Sequence, residues 1–417
     1  MRRAGFGATR DELDAFEKMG LENTVDLLLE YEQADNKALE DRLTALNLDL
    51  TKFNQLQQWW LLRMVYTRRP LQEKMVLFWH GLLTSGYSRV GVPQLMWKQN
   101  ELFRQQALGS YDVLLKAVSR DPAMLIWLDS RSNRKSAPNE NFARELMELF
   151  SMGVGNYTEQ DVRESARAFT GWFLSGQGSL FNRNEHDYSS KTFLGVTGDL
   201  DGDSVIDTIM KQPAASEYVC KRLFKYFVHD EPDPTTMFRL KDAFERNGYS
   251  IKAAMRALLT SDAFYSEKAY RSRPKSPAEL VAGTLHTLSV DTNAAGLPTI
   301  LTRMGQTILD PPNVAGWPGG PTWINSSTLL ERVNFANRIV TDRQGLKLQE
   351  ALIKAGARSS KEVVDYLVGL LLDGVMTPPE RAQLDDYASA VLKVAETDAA
   401  QRSVLYLILS SPAYQMA

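Results

Sequence analysis

From Pro70 to Gly81 the sequence carries Met75, Val76, Leu77, Phe78 and Trp79 in succession, and this run constrains the fold more than any other. Proline suits the first turn of a helix, where its missing N–H is one of those the helix leaves unpaired, and Gly81 marks a stop. A helix that is apolar nearly all round has no face to give to water, so the segment predicts a central helix. His80, which ends the run, is expected to be buried with it. Elsewhere apolar residues recur at helical spacing, as in Val25, Leu28 and Leu29, or Val113, Leu114, Ala117 and Val118. Punctuation agrees: Asp11 is expected to cap a first helix ending near Gly20, and Thr158 with Asp161 has the pattern of a capping box.

Two stretches break the helical period. Between Gly171 and Asp203, Leu180-Phe181-Asn182 and Lys191-Thr192-Phe193-Leu194 flank a polar turn, which predicts one small β-hairpin over about residues 178–195. Residues 310–325 are too rich in Pro and Gly for a helix and long enough to count as a functional loop. A faint echo links Leu258–Phe264 to Ile408–Tyr414; it reads as two similar helix ends that tuck an aromatic ring into the core. The expected fold is mainly α: one compact multi-helical domain, or two packed helical lobes with a soft boundary near 205, residues 1–204 bearing the hairpin and 205–417 the Pro/Gly/Trp loop.

The 417 residues, 44% hydrophobic and 24% charged, suffice for a substantial core. A net charge of −3 provides no global field to gather nucleic acid, so no nucleic-acid partner is expected and any charged ligand must be recognised locally. The one cysteine, Cys220, excludes an internal disulfide or a cysteine-built metal site. No apolar run is long enough to span a bilayer, and Met1-Arg2-Arg3 is not followed by the apolar stretch of a secretion signal. There is no P-loop, dinucleotide fingerprint, His-Glu-x-x-His or Gly-x-Ser-x-Gly. Asp199–Asp203 fails as an EF-hand, because Ser204 and Met210 stand where Gly and Glu are required; capping of a helix by Asp203 is the better account.

On a helix beginning near Asn139, Phe142, Leu146, Leu149 and Phe150 form a buried stripe with Asn141, Glu145 and Glu148 along its flank. The preceding loop brings Arg131, Arg134 and Lys135 to a helix start that already favours an anion such as phosphate, sulfate or a uronate; these cations and Arg144 could equally serve as structural ion pairs. His186 and Asp187, with Tyr188 and Lys191 close by, place a potential base or metal ligand on the hairpin tip. Glu145, Glu148, His186 and Asp187 could together supply the N/O ligands of a catalytic divalent ion. Trp317 and Trp323 offer either a sugar-stacking platform or a pin that holds their loop to the core.

Several segments resemble a known family in its order along the chain. They are Arg2-Arg3-Ala4-Gly5-Phe6-Gly7, Phe78-Trp79-His80, the stretch from Ala137 to Leu146, Phe169-Thr170-Gly171-Trp172, His186-Asp187, and Pro311-Pro312-Asn313-Val314 with Gly316-Trp317-Pro318-Gly319. The sequence is similar to the bacterial family known as Domain of Unknown Function 1800. That resemblance implies a fold and a motif set without an activity, together with an extracytoplasmic setting and a sulfatase-like secreted protein as a partner. The sequence departs from the family's pattern twice: Met1 stands directly before the opening motif, without a signal segment, and Leu82 replaces a second histidine two places after His80. Two functions are therefore expected as alternatives. One is an extracytoplasmic enzyme for an anionic carbohydrate-like substrate, with His80, Glu145, Glu148, His186 and Asp187 meeting in one cavity; the other is a non-catalytic binding or assembly partner of a secreted enzyme.

Overall fold

The Pro70–Leu82 helix lies at the centre of the computed structural model, which describes residues 1–394 and 397–417. Every side chain from Leu71 to His80 is buried, as the apolar run requires. The helix packs against Leu21–Leu29, Phe53–Tyr66 and Pro93–Gln105. Pro277–Thr287 lies against Phe53–Tyr66, and Ser326–Thr341 against Thr397–Ser410. A continuous apolar core reaches from Ala4 to Tyr414. The fold is mainly α, with β-structure confined to two small two-stranded sheets among the described residues.

The central helix also carries charge into that core, and each charge is matched from another element. Glu73 accepts from Arg104 Nε at 2.5 Å, while Lys74 pairs with Glu279 and donates to the Gly5 carbonyl at 3.1 Å. Either charge left alone at this depth would cost several kcal/mol, on the order of a whole side chain's burial.

Local signals place most helix ends correctly and correct a few. The first helix, Arg10–Met19, is capped by Thr9 rather than Asp11: Thr9 Oγ1 accepts from Glu12 N at 3.3 Å and Glu12 returns the bond to Thr9 N at 2.8 Å. That reciprocal box satisfies two free N–H groups, which Asp11 could not do alone. Thr158 and Asp161 form the expected box. Asp201, not Asp203, caps Gly202–Met210: its side chain accepts from Ser204 N at 2.9 Å, while Asp203 already lies inside the first turn and pairs with Arg120. The echoed segments prove to be the same capping turn used twice: Ser261 and Ser411 accept from Phe264 N and Tyr414 N, each at 3.3 Å, and both rings are buried.

The strand segments fold, but not onto one another. β1 (Trp172–Ser175) pairs antiparallel with β2 (Gly178–Phe181), and β3 (Lys191–Phe193) with β4 (Val196–Gly198). Each hairpin closes through two residues. Leu194 and Gly195 both take positive φ, as a primed turn demands, so Phe193 pairs with Val196 and the segment around 180–182 is left to β1.

Candidate functional site

The carboxylate-bearing helix starts at Asn141, two residues later than expected, with Asn139 accepting from Asn141 N at 2.9 Å. After Glu145 it widens into a π-helix, Leu146–Ser151. Three side chains take up carbonyls of this turn: Tyr218 Oη bonds Leu149 O and Ser151 Oγ bonds Leu146 O, both at 2.5 Å, and Tyr111 Oη bonds Phe150 O. Glu145 is half-buried, and burial followed by the Glu148 charge raises its pKa. Glu148 accepts from Tyr157 Oη at 3.1 Å, and Arg144 spans Glu140 at 3.1 Å and Glu159 at 2.8 Å. Asn141, Arg131, Arg134 and Lys135 are exposed; Arg131 lies 3.7 Å from Asp129, and the Arg134 guanidinium sits over Phe173 at 5.4 Å.

On the hairpin side, each predicted residue is likewise held by its neighbours. Asp187 accepts from Arg167 Nε at 2.7 Å. Burial works against its charge, but Arg167 and Ser189 outweigh burial and bring its pKa down to about 2. His186 is buried with Nδ1 2.8 Å from Thr170 O, Tyr188 stands edge-on to its ring, and Lys191 Nζ donates to Ser189 O at 3.1 Å. The proposed metal ligands Glu145, Glu148, His186 and Asp187 do not assemble: among the described residues no group of three or more His, Cys, Asp or Glu could hold an ion. His80 ends the buried run of the central helix. It lies among Trp60, Phe103 and Trp317, its Nε2 has no hydrogen-bond partner, and burial alone drives its pKa down to about 3. Such an imidazole is neutral, and no carboxylate contributes to that shift.

A different cavity, of about 470 Å³, is built where two of the motifs meet. Leu77, Phe78 and Gly81 of the central helix form one wall, Trp317, Gly319 and Trp323 of the Pro/Gly loop another, and Arg222, Lys225 and Tyr226 of the Pro213–Phe227 helix a third. The loop is clipped to the central helix by Thr84 Oγ1, which donates to Val314 O at 2.7 Å, and Trp323 is nearly fully buried. Both tryptophans line the cavity, Trp323 from within the core and half-buried Trp317 with more of its ring open.

Charge at the cavity comes from residues that sequence reasoning passed over. Arg273 lines it and donates through both terminal nitrogens to Glu279, which is also bound by Lys74. Burial opposes the Glu279 charge, but Arg273 and Lys74 hold its pKa far below the usual carboxylate range. Arg222 and Lys225 face the same space and form no ion pair among the described residues. Arg222 and Lys225 look like ordinary charges on an amphipathic helix. The one legible sign was Ser276-Pro277-x-Glu279, a capping box just after Arg273 and Lys275. Cys220 is buried, and burial pushes its thiol up to about 12, so it is no nucleophile.

A mainly α fold in which two of the motif segments line a cavity with tryptophans and cations defines a helical protein with a candidate binding pocket. The chain belongs to the family described as Protein of unknown function (DUF1800), whose profile matches residues 1–416. No curated protein and no solved structure matches it.

Proposed function

We propose that the cavity between the central helix and the Trp317–Trp323 loop binds an anionic, carbohydrate-like ligand. The observation that carries this reading is the coincidence of unpaired cations with a tryptophan wall: Arg222 and Lys225 supply charge, and the half-buried indole of Trp317 supplies flat apolar surface. Ring faces of sugars stack on such surfaces, while their acidic substituents need fixed positive charge. On this reading the anion is recognised at the cavity and not on the Arg131–Lys135 loop, whose cations are exposed and line no part of this cavity. The enzyme alternative keeps its candidates in Glu145, which caps the π-helix, and Glu148 within it, a distortion that recurs at functional sites. An extracytoplasmic setting and a sulfatase-like partner stay attached to the family resemblance.

Calorimetric titration of the chain with acidic and neutral oligosaccharides tests the binding reading. Acidic oligosaccharides should bind, and the double variant Arg222→Ala/Lys225→Ala should weaken them by about tenfold or more without lowering the melting temperature, since neither side chain is paired. Binding that is indifferent to that double variant, or equal for neutral sugars, contradicts it.

A further inference from the structure

A second cavity, of about 270 Å³, lies where the Arg2–Gly7 segment meets the Asp262–Tyr265 turn and the end of the Ser360–Leu372 helix. Four cations line it: Arg2, Arg3, Arg271 and Lys275. The carboxylates on the same lining are already engaged, Asp373 by Arg2 and Glu279 by Lys74 and Arg273. Arg3, Arg271 and Lys275 form no ion pair among the described residues, and Lys275 is only 5% exposed. Cations gathered on one cavity without a counter-charge repel one another and work against the compact state. Burial and then Arg2, with Arg271 adding to them, push the Lys275 pKa well below its ordinary value against the pull of Glu279. We infer that this cavity is a second binding site, which takes a small oxyanion such as phosphate, sulfate or a short polycarboxylate.

The arginines serve the fold with only part of their donors. Arg2 Nη1 donates to Leu371 O at 3.3 Å and Arg271 Nη2 to Leu372 O at 2.7 Å, so two guanidiniums cover the last carbonyls of the Ser360–Leu372 helix, as basic groups do at helix ends. Arg3 spends its terminal nitrogens on Phe227 O and Phe264 O. The Nε of each arginine and Nη1 of Arg271 donate to no acceptor among the described residues, and none of them is closed to solvent. A quarter of the Arg2 side chain is open, and Arg3 and Arg271 are half-buried, which leaves these N–H groups within reach of an ion. Capping accounts for Arg2 and Arg271 but not for a buried lysine brought to the same lining. Free guanidinium N–H groups suit the oxygens of carboxylate, sulfate and phosphate alike, so the lining selects by charge and size. The volume falls below the roughly 300 Å³ at which pockets begin to bury drug-sized ligands, which keeps the ion small. Only Glu279 lines both this cavity and the tryptophan-lined one, and the two readings stand or fall separately.

The test is calorimetric titration with phosphate, sulfate and citrate at fixed ionic strength, on the Arg222→Ala/Lys225→Ala chain so that the other cavity is silenced. At least one of the three should bind saturably, one ion per chain, and Arg271→Gln added to that chain should weaken it by about tenfold or more. Binding of phosphate or sulfate assigns a tetrahedral oxyanion; binding of citrate alone assigns a polycarboxylate. Because Arg271 also covers a helix end, modification of arginines by phenylglyoxal on the native chain, read by peptide mass, supplies a measure that needs no variant. The bound ion should shield Arg271 and leave the exposed Arg246 open to the reagent. Failure of all three ions to saturate, an ion that binds without shielding Arg271, or equal affinity in a folded Arg271→Gln chain overturns the inference.

Discussion

Gly316 stands directly against Gly81: with φ at +83°, a Cβ added to it would come within 2.3 Å of the Gly81 carbonyl oxygen. This backbone contact brings the Pro/Gly loop onto the central helix and sets the distance between Trp317 and the wall formed by Leu77, Phe78 and Gly81. Gly316→Ala forces both an unfavourable φ and a clash with backbone that cannot rotate away. It should destabilise the chain by about 1–3 kcal/mol and weaken ligand binding as well. Chemical denaturation with calorimetry checks both; a loss of stability with unchanged affinity would show that the contact does not shape the cavity.

Glu279→Gln removes the carboxylate that pairs with both Lys74 and Arg273, all three being buried or nearly so. Leaving two cations uncompensated at that depth should cost about 3–5 kcal/mol. Glu145→Gln, at a half-buried position with no ion pair, should stay within about 1 kcal/mol of the native chain. Urea denaturation of the two variants side by side separates the cases.

Asp121 caps the Pro122–Trp127 helix, accepting from Met124 N at 2.9 Å and from Gln99 Nε2 at 2.8 Å, in a site where burial pushes its pKa from 3.8 up to about 7. The folded chain therefore holds a proton that the unfolded chain releases, and stability declines as pH rises from about 4 to about 7. Asn keeps an acceptor and cannot ionise. Asp121→Asn should thus gain stability relative to the native chain between pH 5 and pH 8, on the order of the shift itself. A constant difference across that range would contradict the assignment.

His286 joins three elements, with Nδ1 2.8 Å from Val65 O and Nε2 2.9 Å from Glu12 of the first helix, which has no fully buried residue. Burial opposes its protonation, but Glu12 and the Val65 carbonyl raise its pKa above 6.5. The stability this pair contributes is fully present below the unfolded value near 6.5 and is lost as pH rises through the higher folded value. Amide exchange across Arg10–Met19 should accelerate beyond its intrinsic rate over that window, and His286→Gln should abolish the acceleration.

The central helix was legible because five consecutive large apolar residues leave no polar face, and the Pro/Gly loop because those residues exclude a helix. Hairpin pairing was not, since it turns on positive φ at Leu194 and Gly195, which apolar alternation does not encode. The expected convergence of His80, Glu145, Glu148, His186 and Asp187 assumed that titratable groups near the core seek one another. Instead Thr170, Tyr157 and Arg167 satisfy three of them locally, and His80 sits in an aromatic cage. Arg222, Lys225 and Arg273 stood out in no pattern because what joins them is a tertiary cavity shared with residues about 45 to 195 positions away along the chain. Trp317 and Trp323 line that same cavity.

A crystal structure of the chain with a bound acidic oligosaccharide tests the account most directly. A sugar ring should lie against Trp317, with Arg222 or Lys225 turned towards the acidic group of the ligand. A ligand found instead on Arg131, Arg134 and Lys135 beside Asn141, with the tryptophan-walled cavity empty, would contradict the account and return the site to the carboxylate-bearing helix.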